Sequence, residues 1–180
     1  MAGDSKRGGG GGAMLSLLAI VISLSALGVS VLEVTSLQGQ QRASVWPYLE
    51  IGGNYSGEGY EIAITNKGIG PALLGDVTIT LAGRTIASSD DLDAVILDTI
   101  GEDRAFSYDT YRASDASGAV LAPGEKEILF GVPWTPETRV FVSAVSDAMA
   151  VDACYCSVYK ECWSVTAGGT PAPTKACRPE

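Results

Sequence analysis

The chain has 180 residues, enough for one medium domain with a sizeable core plus an appendage, and 12 basic against 21 acidic residues give it a formal charge of -9. Nucleic acid and anionic lipid surfaces repel so acidic a chain, which excludes both as principal partners. It contains no histidine, which removes the commonest general base, the commonest metal ligand and every Ser-His or Cys-His dyad.

Residues 1–12, MAGDSKRGGGGG, read as a disordered glycine-rich tail with no means of packing. Residues 13–32, AMLSLLAIVISLSALGVSVL, are twenty uncharged and mostly apolar positions. As a helix they are about 30 Å long, the thickness of a bilayer core, so membrane lipid is the expected surrounding. A cleaved signal peptide normally has an apolar region of about 7–15 residues ending in a small-x-small site. Here the run is longer and its small residues are spread along it. The reading is a retained signal anchor. Lys6 and Arg7 precede the span and Glu33 follows it. The positive-inside rule then places the N-terminus in the cytoplasm and residues 33–180 in the periplasm or outside the cell.

Within the span, Ser16, Ala19, Ser23, Ala26 and Ser30 recur at spacings of 3, 4, 3 and 4. That period keeps five small residues on one face, where a second copy or a partner membrane helix could approach closely. Small residues are also ordinary in spans, and eight of these twenty are Ala, Ser or Gly. Residues 33–44, EVTSLQGQQRAS, read as a short helical stalk that Gly39 weakens.

Beyond the stalk the hydrophobic period becomes two. VWPYLEI supplies a first strand, YEIAIT a second with Tyr60, Ile62 and Ile64 on one face, and DVTITL a third with Val77, Ile79 and Leu81. KEILFGV alternates through Ile128, Phe130 and Val132, and RVFVSAV and DACYCSVY are two more strand candidates. Such alternation predicts antiparallel strands with one buried face. One helical insert interrupts them: SSDDLDAVILDTIG puts Leu92, Val95, Ile96 and Ile100 on one side, with Ser88 or Ser89 as N-cap and Gly101 as stop. The β domain spans residues 45–165.

The glycines of NKGIGPALLGDVTITL raise the question of a ligand loop. A phosphate-binding loop places its glycines between a strand and a helix, so that N–H groups and the helix dipole face the anion. Here a strand follows, so Gly68 and Gly70 are expected to supply positive φ or a bulge, with Pro71 at a turn or edge. ITNKGIGPALLGDVTITL and LAPGEKEILF resemble bacterial immunoglobulin-like and fibronectin-like adhesion sandwiches over roughly residues 58–132. The whole layout looks like small bacterial membrane-anchored proteins carrying such a domain. The resemblance implies a mainly β protein: one transmembrane helix, then an antiparallel immunoglobulin-like β-sandwich with a short helical insert. It transfers no catalytic residues.

Cys154, Cys156, Cys162 and Cys177 all fall near the C-terminal end. Tetrathiolate zinc usually uses C-x₂₋₄-C pairs and redox sites C-x-x-C, and neither spacing is present. Outside the cytoplasm an even number of cysteines makes disulfides. A turn at VYKE favours Cys156 with Cys162 and Cys154 with Cys177, and the crossed pairing stays open. Either ties the Pro-rich tail, residues 166–180, onto the domain. Asp90, Asp91 and Asp93, with Asp98, Glu102 and Asp103, lack the D-x-D-x-D-G calcium pattern, and acids in a first helical turn are favoured by its dipole. Asn54 in NYS fits a glycosylation triplet that matters only in a eukaryotic secretory pathway. Trp46, Trp134 and Trp163 read as core or boundary residues rather than a sugar platform.

The expected function is a non-enzymatic, single-pass membrane protein, without cofactor or metal, acting as an accessory or interaction subunit of an envelope complex. A pilin-like filament subunit is the alternative. Its usual Glu about five residues into the apolar helix is missing, the nearest acid being Glu33 after the span. An envelope hydrolase or thiol oxidoreductase would want His, G-x-S-x-G or C-x-x-C, which the chain lacks.

Overall fold

The structure is a computed structural model that describes residues 9–104, 106 and 111–177. The chain forms two compact units, Met1–Ala43 and Ser44–Glu180. In the first, helix α1 runs Gly9–Ala43. The expected tail lies outside the described residues as far as residue 8, together with Lys6 and Arg7. From Gly9 onward the expectation is corrected, because the last glycines are helical. The N–H groups of residues 13–16 need the carbonyls four positions earlier, and an apolar run cannot leave them unpaired. The helix also passes through Gly39 and takes in the stalk. It is long and apolar enough to cross a membrane, and none of its apolar window over Met14–Ala43 is buried.

The second unit is built from strands β1 (Leu49–Tyr55), β2 (Gly59–Asn66), β3 (Ala72–Leu81), β4 (Arg84–Ile86), β5 (Arg112–Ala113), β6 (Val120–Leu121), β7 (Lys126–Pro133), β8 (Met149–Cys156), β9 (Cys162–Thr166) and β10 (Ala172–Thr174). Helix α2 (Ser89–Ile100) follows β4, and helix α3 (Pro136–Val145) joins β7 to β8. A four-stranded sheet has the order β1-β2-β7-β5. A six-stranded sheet has the order β10-β9-β8-β3-β4, with β6 also on β3. The pairings are antiparallel. The connections β2 to β3 and β7 to β8 cross from one sheet to the other, so the NKGIGP segment is an inter-sheet corner. The segment read as a tied tail also contributes strand β10, on the edge of β9.

One core serves both sheets and both helices. It gathers Leu49, Ile51, Ile62 and Ile64 from β1 and β2, Val151, Ala153 and Tyr155 from β8, Leu92, Val95 and Ile96 from α2, and Phe141, Val142 and Val145 from α3. Helix α2 has the cap its sequence predicts. Ser88 Oγ accepts from the Asp91 N–H at 3.3 Å, and Asp91 Oδ2 accepts from the Ser88 N–H at 2.9 Å. Gly101 ends the helix at φ 79°, donating its N–H to Leu97 O at 2.9 Å.

Two expectations fail here. RVFVSAV is not a strand; residues 139–145 lie in α3. Its β-branched residues favour a strand locally, but the preceding TPET decides otherwise. Thr135 Oγ1 accepts from the Thr138 N–H at 3.2 Å, Thr138 Oγ1 accepts from the Thr135 N–H at 2.8 Å, and Pro136 occupies the first turn. Thr138, Phe141, Val142 and Val145 are then buried on one helical stripe. In β7 the alternation also breaks. Ile62 pairs with Phe130 but Ala63 pairs with Ile128, so Leu129 is the extra residue of a bulge. Leu129 is 1 % exposed and joins the core, while Ile128 is only half-buried.

Candidate functional site

The NKGIGP corner is held by one buried side chain. Asn66 Oδ1 accepts from the Gly68 N–H at 3.0 Å and the Tyr48 N–H at 3.3 Å. Its amide nitrogen donates to Gly70 O at 2.8 Å and Leu121 O at 3.0 Å. Asn66 is 0 % exposed, and it ties the corner to the approach to β1 and to β6. The expected positive φ at Gly68 and Gly70 is wrong: neither lies in the left-handed region. Glycine is needed for close approach instead. A Cβ on Gly70 would lie 1.8 Å from Val45 O, and one on Gly68 would lie 2.4 Å from Tyr48 N. Backbone packs on backbone here, leaving no room for an anion. The corner is structural.

The cysteines pair as Cys154–Cys177 and Cys156–Cys162. Cys156 and Cys162 face each other across β8 and β9, whose turn is closed by the Ser157 N–H donating to Glu161 O at 2.8 Å. Cys177 packs over Gly75, where an added Cβ would come within 2.7 Å of the Cys177 Cβ. Nothing in the sequence marks Gly75 for this role. Strand β10 has three paired residues, all exposed, so the Cys154–Cys177 bridge does much of the work of holding it. A ring closed over a separation of 23 residues stabilises by roughly 3 kcal/mol on chain-entropy grounds. In Cys177→Ser, trypsin is expected to cut after Lys175 far faster than in the wild type, while the β8–β9 hairpin survives. An unchanged cleavage rate would mean that β9 pairing alone holds the segment.

The acidic run has structural employment. The Asp91 carboxyl is held below the usual carboxylate range by the Ser88 hydroxyl first and then by the Ala87 N–H, with burial opposing and the Ser88 N–H adding least. The cap is therefore at full strength above that range and weakens only as pH falls through the lowered value. Asp93 accepts from the Tyr111 hydroxyl at 3.0 Å, and Asp98 meets Arg84 at 3.4 Å on the surface. Among the described residues, the ligand-type side chains close enough together to share an ion are Cys156, Cys162 and Cys177, whose sulfurs are in bridges.

The three tryptophans sit at opposite ends of β1. Near its start, Trp46 meets Tyr48 and Trp163 edge-on at 5.5 and 6.5 Å, and Trp163 stacks on buried Tyr155 at 5.6 Å. Burial pushes the Tyr155 phenol up, partly offset by the hydrogen bond it accepts from the Leu49 N–H. Near the other end, Trp134 lies between Tyr55, stacked at 6.1 Å, and the Arg139 guanidinium at 4.7 Å. Its indole N–H donates to Ser56 O at 2.8 Å. A groove of about 690 Å³ runs between β3–β4 and β5, floored by Val77, Ile79, Ile86 and Leu129. On its rim, the Asp115 carboxyl is lowered by the Ser117 N–H and hydroxyl and is occupied by that contact.

On α1, Ser16, Ala19, Ser23, Ala26 and Ser30 are exposed. The hydroxyls of Ser16, Ser23 and Ser30 donate to the carbonyls of Gly12, Ala19 and Ala26 at 2.9, 2.8 and 3.0 Å. That face therefore offers close packing rather than free hydrogen-bond donors.

Compared with known protein families, curated proteins and solved structures, the chain has no match.

Proposed function

We propose that this is a non-enzymatic single-pass membrane protein that presents a disulfide-stapled, immunoglobulin-like β-sandwich on the far side of the membrane from its N-terminus, as an accessory or interaction subunit of an envelope complex. The observation that carries this reading is the pairing of two features in one chain. Helix α1 carries no charge over residues 13–32, and none of its apolar window is buried by the protein, a surface suited to lipid. The other unit holds two disulfides, which persist in oxidising compartments. Two antiparallel sheets sharing one core, joined by connections that cross between them, support the sandwich.

The test is topology. After alkaline carbonate washing the protein stays in the membrane pellet. Protease added to spheroplasts digests residues 33–180 and spares a tag at residue 2. Digestion of that tag overturns the orientation, and a soluble product lacking the span means a cleaved signal instead.

The interaction role has its own test in the α1 face. Ala26→Leu or Ser23→Leu puts bulk at the centre of the small-residue face and is expected to abolish most association of the span in a membrane reporter assay. Val21→Leu, on another face, leaves association unchanged. If both classes of variant behave alike, the span is an anchor and any partnership belongs to the sandwich.

A further inference from the structure

We propose that the two disulfides form a single thiol–disulfide exchange relay, in which a small-molecule thiol attacking the hairpin bridge causes Cys177 to change partner and releases Cys154. The Sγ atoms of Cys156, Cys162 and Cys177 all lie within 4.8 Å of one another, although Cys177 is bonded to Cys154 and Cys156 to Cys162. Each bridge thus has a sulfur of the other beside it. The gathering follows from topology. Cys154 and Cys156 are two apart on β8 and so share a face, Cys162 is the cross-strand partner of Cys156, and Gly75 on the neighbouring strand leaves room for Cys177. Cys154, Cys156 and Cys177 are partly exposed, while Cys162 is 8 % exposed.

Exchange requires a thiolate that can reach a disulfide sulfur, and access decides which sulfur is attacked from outside. The external thiolate attacks the Sγ of Cys156, the more exposed residue of the hairpin bridge. A bond forms between them as the Cys156–Cys162 bond breaks, and the electron pair leaves on Cys162. The Cys162 thiolate then attacks Cys177 Sγ. The Cys162–Cys177 bond forms as Cys177–Cys154 breaks, and Cys154 departs as a thiolate that takes a proton from water. One thiol is consumed and one released, so the sequence needs no oxidant. Its consequence is that attack on the β8–β9 hairpin is reported at the bridge that holds the C-terminal segment. The relay requires only the folded second unit and does not rest on the membrane reading.

The experiment is a brief pulse of the full chain in detergent with glutathione below one equivalent, quenched with N-ethylmaleimide and mapped as non-reduced peptides. The relay predicts a Cys162–Cys177 cross-link, glutathione on Cys156 and maleimide on Cys154. Two independent staples would give maleimide on Cys162 with Cys154–Cys177 intact, which overturns the proposal. A second measurement uses Cys156→Ser, which leaves Cys162 as the one free thiol, equilibrated in glutathione buffer. That thiol is expected to be shared between Cys162 and Cys154, with about one molecule in ten or more holding a Cys162–Cys177 bridge. Alkylation confined to Cys162 overturns the proposal. If that variant does not fold, the wild-type pulse decides alone.

Discussion

Replacing Asn66 by Ala is expected to cost the second unit about 3–5 kcal/mol and to lower its melting temperature by roughly 10–20 °C. The size follows from counting partners. The substitution strips hydrogen bonds from the Tyr48 and Gly68 N–H groups and from the Gly70 and Leu121 carbonyls, in a place with no exposure to water. Each buried group left without a partner costs about 1–3 kcal/mol, and relaxation recovers part of the sum. Asn66→Asp is expected to be at least as damaging despite its nearly identical shape. It keeps the acceptor facing the two N–H groups but aims a second acceptor at two carbonyls and buries a charge. Asn54→Ala is the control: Asn54 is exposed, bonds Glu61 at 3.3 Å, and should change stability by less than about 0.5 kcal/mol. Tryptophan fluorescence during urea unfolding in detergent isolates the effect, because Trp46, Trp134 and Trp163 all lie in the second unit. An Asp variant as stable as wild type would show that the amide nitrogen is idle.

Gly70→Ala is expected to be comparably severe, for a reason unrelated to backbone conformation. The new methyl group would sit 1.8 Å from Val45 O and 2.2 Å from Val45 C, both backbone atoms that no rotamer change can move. To admit it, the 45–46 segment must retreat, losing the bonds that Trp46 O accepts from the Ile69 and Gly70 N–H groups at 3.0 and 3.3 Å. The expected loss is about 3 kcal/mol or more, up to failure to fold. Gly118→Ala makes the opposite case. Gly118 has φ 75° with nothing within 4 Å of an added Cβ, so only the left-handed conformation is penalised, by about 1 kcal/mol. Equal losses at the two positions would mean that the corner yields easily and that Val45 is not held against it.

What the sequence determined by itself is what depends on near neighbours. Twenty uncharged positions are enough for a spanning helix whatever follows them. Helix α2 was legible end to end, since Ser88, Asp91 and Gly101 act within a turn of where they stand. Strand β2 was legible because Tyr60, Ile62 and Ile64 are buried at every second position as the pleat requires, although Ala63 between them is buried as well. Tertiary structure decided the rest, wherever a distant backbone sets the requirement. The strand-like RVFVSAV became helix because its Thr135 cap and the core-facing stripe through Phe141 and Val145 outweigh a local preference worth a few tenths of a kcal/mol per residue. Leu129 reached the core through a bulge that exists only when β7 is laid beside β2. The corner glycines were visible, but their reason was not: φ is a local property, whereas the Val45 carbonyl that excludes a methyl group from Gly70 lies 25 residues away in the chain. Nothing in the sequence singled out Asn66, because Leu121, one of the groups it satisfies, comes beside it only when the chain has closed on itself.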